Sequence, residues 1–218
     1  MPTPFDQSTY QVRLDWGVEG LGRLAPADVV VVVDVLRFSS TVADAVAAGA
    51  TVSLADAGEW SRNGAAVAAA AERATVLLGS VRNAGAVARA IAVEQERRQA
   101  RTSVAVIAAG ELDSTGGLRF AVEDHLGAGA VIAALTDLGI DHTAPDAAVA
   151  AEGFRALRRA LRHMLSASGS AREIAVGVPA TDRMTAAGLR PTTATEAAEL
   201  DAIDAVPVLR DGVFLAFA

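Results

Sequence analysis

Three features of the sequence predict an α/β fold, a three-layer α/β/α arrangement with a largely parallel or mixed sheet and a C-terminal β-hairpin. Short, wholly apolar runs recur along the chain, and alanine-rich segments of helical period separate them. The end, VPVLRDGVFLAFA, places Asp211-Gly212 between two apolar runs, the signature of a hairpin. A strand buried on both faces reads as a continuous apolar run, and its alternation with helices requires crossovers covering both faces of a sheet. The 218 residues show no repeat and no linker, which fits a single domain over 1–218.

The elements follow in order. Val29–Val35 is too short for an ordinary helix and is β-branched throughout before Asp34, so it is read as a buried strand. Ser39, Ser40 and Thr41 are good N-caps for a helix over Thr41–Ala48, with Gly49 as its stop. Thr51–Leu54 is the next strand and Ser61–Arg73 an alanine-rich helix opened by Ser61. The unit then recurs: strand Thr75–Ser80, Asn83 as N-cap, helix from Ala84 to about Arg98. Thr102–Ala109 is a third buried strand, followed by the glycine-containing loop Gly110–Gly117. Helices over Phe120–Leu138 and Ala147–Leu165 and a short strand at Ile174–Val178 complete the pattern before the hairpin.

Composition excludes several chemistries. Every one of the 19 basic residues is arginine, so Schiff-base, pyridoxal phosphate and P-loop lysine chemistry are absent. Without cysteine there is no thiolate nucleophile, no thiolate metal site and no disulfide. With only His125, His142 and His163, a histidine-rich metal centre is not built. Catalysis must rest on Asp, Glu, Arg, Ser, Thr, Asn or a carboxylate-bound hard metal. A net charge of −7 and 4% aromatics disfavour nucleic acid, which asks for a basic, base-stacking surface. No apolar run approaches the ~18 residues of a membrane span, and MPTPFDQSTY lacks the features of a signal peptide. A cytoplasmic protein with no membrane partner is expected.

Open α/β sheets place their sites at the carboxyl ends of strands, so the loops Asp34–Thr41, Gly79–Asn83 and Gly110–Arg119 should converge. In the first, Asp34 is suited to a metal and Arg37 to a phosphate or sulfonate, with the amides of Ser39–Thr41 opening a helix toward an anion. The alternative is an ordinary loop cap and a surface ion pair. Leu36 occupies the place of the second aspartate of an Asp-x-Asp phosphatase, and neither P-loop nor dinucleotide glycine pattern is present. The second loop offers Ser80, Arg82 and Asn83, the last foremost an N-cap. On the third region's helix, Phe120, Ala128, Val131, Leu135 and Leu138 form one apolar stripe; Asp124 falls on it with Glu123 beside it. A carboxylate facing a core needs an arginine, a metal or donated hydrogen bonds, although the first turn of a helix also favours negative charge by itself. Glu111 is a further ligand or base. His125 is read as structural or exposed, the Arg162-His163-Met164 run as a solvated helix face, and Ser166, Ser168 and Ser170 with Gly169 as a helix end, a plain C-cap by the simpler reading and an anion-facing one by the other.

Taken together, VVDVLRFSST (Val32–Thr41), LLGSVRNAGAVARAI (Leu77–Ile91), VIAAGE (Val106–Glu111), RFAVEDHLGAGAVI (Arg119–Ile132), Ser166 with Gly169, and DAVPVLRDG (Asp204–Gly212) resemble the ComB-like 2-phosphosulfolactate phosphatases. The resemblance implies a Mg²⁺-dependent hydrolase that removes phosphate from a small anionic ester to yield sulfolactate. By that similarity Asp34, Arg37, Asn83, Glu123 and Asp124 match the family's motif positions; on our own reading of roles Asp34, Arg37 and Glu123 are catalytic, Asp34 and Asp124 metal ligands, and Ser39, Ser40, Thr41, Asn83 and Arg119 substrate-binding. Asp34 or Glu123 is then the group that activates water. Between its first two blocks that family carries Gly-Glu-Arg, Gly-Asn-Ser-Pro and Thr-Thr-Asn-Gly-Thr segments. Here Ala55–Arg73 retains only Gly58-Glu59 and Arg62-Asn63-Gly64 of them. A member that binds an anionic metabolite without turning it over is therefore the alternative reading. The apolar C-terminal VFLAFA is expected to pair in a sheet or at a homodimer interface.

Overall fold

The computed structural model describes residues 3–113 and 115–218; Met1 and Pro2, at the N-terminal stretch examined for a signal peptide, and Ser114, within the expected Gly110–Arg119 loop, lie outside the described residues. The chain opens with β1 (Val12–Trp16) and α1 (Gly17–Arg23), then β2 (Val29–Val33) and α2 (Phe38–Ala47). β3 (Val52–Ser53), α3 (Leu54–Gly58) and α4 (Gly64–Ala70) follow. β4 (Thr75–Gly79) passes through a 3₁₀ turn at Val81–Asn83 into α5 (Ala84–Arg98). β5 (Val104–Ala108) leads to a small hairpin of β6 (Glu111–Leu112) and β7 (Leu118–Arg119), and then to α6 (Val122–Asp137) and α7 (Pro145–Leu157). Four shorter helices, α8 (Leu161–Ser166), α9 (Gly169–Val176), α10 (Pro179–Ala186) and α11 (Ala194–Ala197), precede the terminal hairpin of β8 (Pro207–Arg210) and β9 (Val213–Ala216).

One seven-stranded sheet runs in the order β1-β5-β2-β4-β8-β9-β3. Its first four strands are parallel and its last three antiparallel, so the sheet is mixed around a parallel core. The valine run explains the layering. Successive side chains of a strand point to opposite faces. Val29, Val31 and Val33 accordingly pack with Val87 and Ile91 of α5 and Leu126 and Val131 of α6. Val30 and Val32 pack on the other face with Phe38 and Val42 of α2 and Val67 of α4. The apolar end of the chain is absorbed into the sheet, since β9 pairs with both β8 and β3.

Several local expectations change. α2 begins at Phe38, so Ser39, Ser40 and Thr41 lie inside the helix rather than capping it; the Asp34 side chain takes the Phe38 amide instead, at 3.1 Å. Ala147–Leu165 is two helices, broken at Arg158–Ala160, with α8 carrying Leu161 and Leu165 into the core. Ile174–Val178 is not a strand. Ser168 accepts the Ala171 amide and starts α9, and Val176, at 91% exposed, has no sheet to be buried in. The expected stripe on α6 holds at Ala128, Val131 and Leu135, but Phe120 and Leu138 at its ends are exposed.

β2 and β5 are adjacent and in register, Val33 beside Ala108, yet their onward connections leave in opposite directions. α2 and α4 cover one face and α6 the other. The two strand ends therefore open a crevice of the kind in which doubly wound sheets bind ligands.

Candidate active site

The turn after β2 is built by its own polar side chains. The Asp34 amide donates to Ser39 Oγ at 3.0 Å, Ser39 Oγ donates to the Val32 carbonyl at 3.0 Å, and Ser40 Oγ donates to the Val35 carbonyl at 2.9 Å. Thr41 Oγ1 accepts the Thr192 amide at 3.1 Å. All three hydroxyls are buried and hold backbone rather than facing a cavity. Asp34 spans the crevice, its Oδ1 accepting from the Phe38 amide and its Oδ2 from the Gly64 amide at 3.2 Å. Gly64 is required for that approach: a Cβ there would lie 2.7 Å from Asp34 Oδ2 and 2.4 Å from Phe38 Cδ1.

The first turn of α6 supplies two carboxylates with different tasks. Asp124 accepts the Val35 amide at 2.7 Å on one oxygen and the Gly110 amide at 2.9 Å on the other. It thereby braces the loop after β2 against the loop after β5. Glu123 is 2% exposed, lines the same crevice, and has no hydrogen-bond partner among the described residues. Glu111 faces it from β6, accepting from Ser170 Oγ at 3.3 Å. Burial and the charges of Glu111 and Glu123 push the Asp34 carboxyl up from 3.8 to about 7. Burial, then Asp34 and Glu123, raise Asp124 well above its ordinary value.

These groups line one cavity of about 510 Å³, roofed by α9 and α10. Its cations are Arg37, Arg62 and Arg183. Arg37 is buried beside Asp34 and donates to Thr181 Oγ1; burial holds its pKa below the usual guanidinium value. Arg183 donates to the Glu59 carbonyl at 2.6 Å. Asn63 donates to the Gly110 carbonyl at 2.7 Å, while among the described residues its Oδ1 is a buried acceptor without a partner and Trp60 Nε1 a buried donor without one.

Of the residues singled out in the sequence, the structure therefore brings Asp34, Arg37, Glu111, Glu123, Asp124 and Ser170 together. Asn83 and Arg119 stand apart. The Asn83 side chain accepts the Ser80 amide at 2.9 Å and donates to the Leu78 and Ala205 carbonyls, so it closes its own turn. Neighbouring Arg82 is committed to Asp44, Glu199 and the Glu196 carbonyl. Arg119 is exposed on β7 against Gly169 and does not line the cavity. Of the three loops expected to converge, those after β2 and β5 do so and the one after β4 does not. Sequence reasoning passed over Trp60, Thr181 and Arg183, and noted Arg62-Asn63-Gly64 only as a remnant of family segments; it is in fact a wall of the site.

A protein-family model described as 2-phosphosulpholactate phosphatase matches residues 60–212. The chain belongs to that family. Within this 2-phosphosulpholactate phosphatase family member, the matched span holds Asn63, Glu111, Glu123, Asp124 and Arg183 but begins after the Val32–Thr41 block that carries Asp34 and Arg37. Among curated proteins, none matches the chain significantly. Among the described residues no helix is long and apolar enough to cross a membrane.

Among the described residues no three His, Asp or Glu side chains form a ready metal cluster. Mg²⁺ is ordinarily held by one or two carboxylates completed by waters and substrate phosphate. Asp34 and Asn63 Oδ1, an acceptor without a partner among the described residues, are hard oxygen donors that fit such a site; Asp34 and Asp124 each accept one amide on each oxygen, which leaves a second lone pair on every oxygen for a cation.

Proposed function

We propose that this protein is a Mg²⁺-dependent phosphatase of small anionic phosphate esters, with 2-phosphosulfolactate, cleaved to sulfolactate and phosphate, as its substrate. The observation carrying this reading is the meeting of Asp34 and Arg37 at the tip of β2, inside a cavity that also holds the partnerless carboxylate Glu123. Arg37 takes the phosphoryl oxygens through its guanidinium fork and balances the charge of the transition state. Glu123, with no competing hydrogen bond, accepts the proton of the attacking water as its oxygen bonds to phosphorus and the bond to the ester oxygen breaks. The same proton then returns to the leaving alkoxide. Asp34 and Asn63 would hold Mg²⁺, which supplies positive charge to polarise the phosphoryl group. The brace from Asp124 keeps the Asp34 and Gly110 loops in register while this happens.

Phosphate release from 2-phosphosulfolactate, followed with and without Mg²⁺, tests the proposal. Glu123→Gln should lower kcat at least about a hundredfold, the lower range for a lost general base, and Asp34→Asn should abolish the Mg²⁺ dependence. Wild-type rates in both variants would overturn the assignment. The interval Ala55–Arg73, which keeps only Gly58-Glu59 and Arg62-Asn63-Gly64 of the family segments, favours a second reading, binding of the anion without turnover. Ligand-induced thermal stabilisation with no phosphate released from any of a panel of esters would establish that reading instead.

A further inference from the structure

The mechanism above occupies one of the three arginines of the cavity. Elsewhere, Arg23, Arg82, Arg89, Arg98, Arg155 and Arg190 are each paired with a carboxylate, and the other ten arginines, scattered over the surface or bonded to carbonyls, have none among the described residues. Arg37, Arg62 and Arg183 have no such pair among the described residues, although Glu59, Glu111, Asp113 and Glu173 line the same cavity. In a chain of net charge −7, guanidiniums left unpaired within one cavity point to an anion larger than a single phosphate.

We infer that Arg183 is a specificity-determining residue, taking a second anionic group, sulfonate or carboxylate, on the carbon skeleton of the phosphate ester. The inference rests on the phosphatase reading only for the identity of the first group, the phosphoryl on Arg37. α10 ties the two arginines together. Thr181, on one side of the helix start, accepts from Arg37, and Arg183, two residues on, hangs over the rim of the same cavity. Between them and the core stands Met184, 2% exposed and packed in the cluster beneath α2 and α4, so the helix is seated rather than adrift. Arg183 is held by a single nitrogen, on the Glu59 carbonyl at 2.6 Å, and its remaining donors have no protein partner among the described residues. An arginine anchored at one nitrogen offers the rest of its planar fork to a carboxylate or sulfonate without further ordering cost.

Calorimetric titration of the full chain in Mg²⁺ tests this with two probes, phosphoglycolate, which carries a carboxylate beside its phosphate, and methyl phosphate, which does not. Wild type should prefer phosphoglycolate. Arg183→Met should reduce that preference about tenfold, the worth of one charge-assisted pair, and Arg183→Lys should restore part of it. If Arg183 only pins α10 to Glu59, both probes lose affinity equally; that result, no change in the ratio, or no binding of either probe by wild type would overturn the inference. Discrimination without phosphate release from any ester would contradict the phosphatase reading and leave the role of Arg183 standing. Turnover without discrimination would do the reverse.

Discussion

Asp34 bears opposed demands. The amides of Phe38 and Gly64 stabilise its charge, while burial and the neighbouring Glu111 and Glu123 resist it more strongly and push it up to about 7. A carboxyl raised on folding contributes stability that is complete below its ordinary 3.8 and is lost as pH rises toward about 7. In metal-free buffer the midpoint of thermal unfolding should therefore fall between about pH 4 and about pH 7 and level off above it. Asp34→Asn should flatten that fall, leaving the part contributed by Asp124, whose shift has the same sign. An unchanged pH dependence in the variant would show that Asp34 is not the group responsible. At this scale the sequence was most legible where a charge interrupted a buried run: Asp34 and Arg37 after the valines, Glu123 and Asp124 on an apolar helix. The serines beside them were less so. Their hydroxyls look equally suited to an anion and to a turn, and only the Val32 and Val35 carbonyls, reached by the fold, decide for the turn.

Elements depend on close approaches that single residues permit. α6 and α7 cross at Gly129, where an added Cβ would lie 2.2 Å from the Ala150 carbonyl oxygen, a backbone atom that cannot swing aside. Gly129→Ala should cost about 1–3 kcal/mol, read as a lowered denaturant midpoint with unchanged slope. Gly64→Ala makes a contrasting case: its Cβ meets the Asp34 and Phe38 side chains, so activity should drop further than stability does. Equal losses in both would place Gly64 in the core alone. The long, regular helices α5 and α6 were readable from their period and from punctuation at one end of each, Asn83 before α5 and Gly139, at positive φ, after α6. α9 was not, because Ile174, Val176 and Val178 alternate as a strand does, and only Ser168 taking the Ala171 amide tips the segment into a helix. The break between α7 and α8 carries no glycine or proline, and so no local signal.

The whole molecule is organised by where the parallel half of the sheet changes direction. The valine run, buried on alternate faces between two helical layers, made the three-layer architecture legible from sequence. β1 was missed because Arg13 and Asp15 interrupt its apolar pattern; Arg13 is nonetheless buried, its guanidinium satisfied by the Tyr10 and Ala25 carbonyls. The roof of the site was equally invisible. Thr181 and Arg183 lie far along the chain from Arg37, on a short helix whose sequence carries no mark of a site, and meet it only in three dimensions. The family match, starting at Trp60, and the Val32–Thr41 block that precedes it contribute opposite walls of one cavity. The central claim is therefore spatial, and a crystal structure of the protein soaked with Mn²⁺ in place of Mg²⁺ and with phosphate tests it most directly. An anomalous peak beside Asp34 and Asn63, with phosphate on Arg37, is the predicted result; metal and phosphate bound instead at the Ser80–Asn83 turn, or nowhere in the cavity under α10, would contradict it.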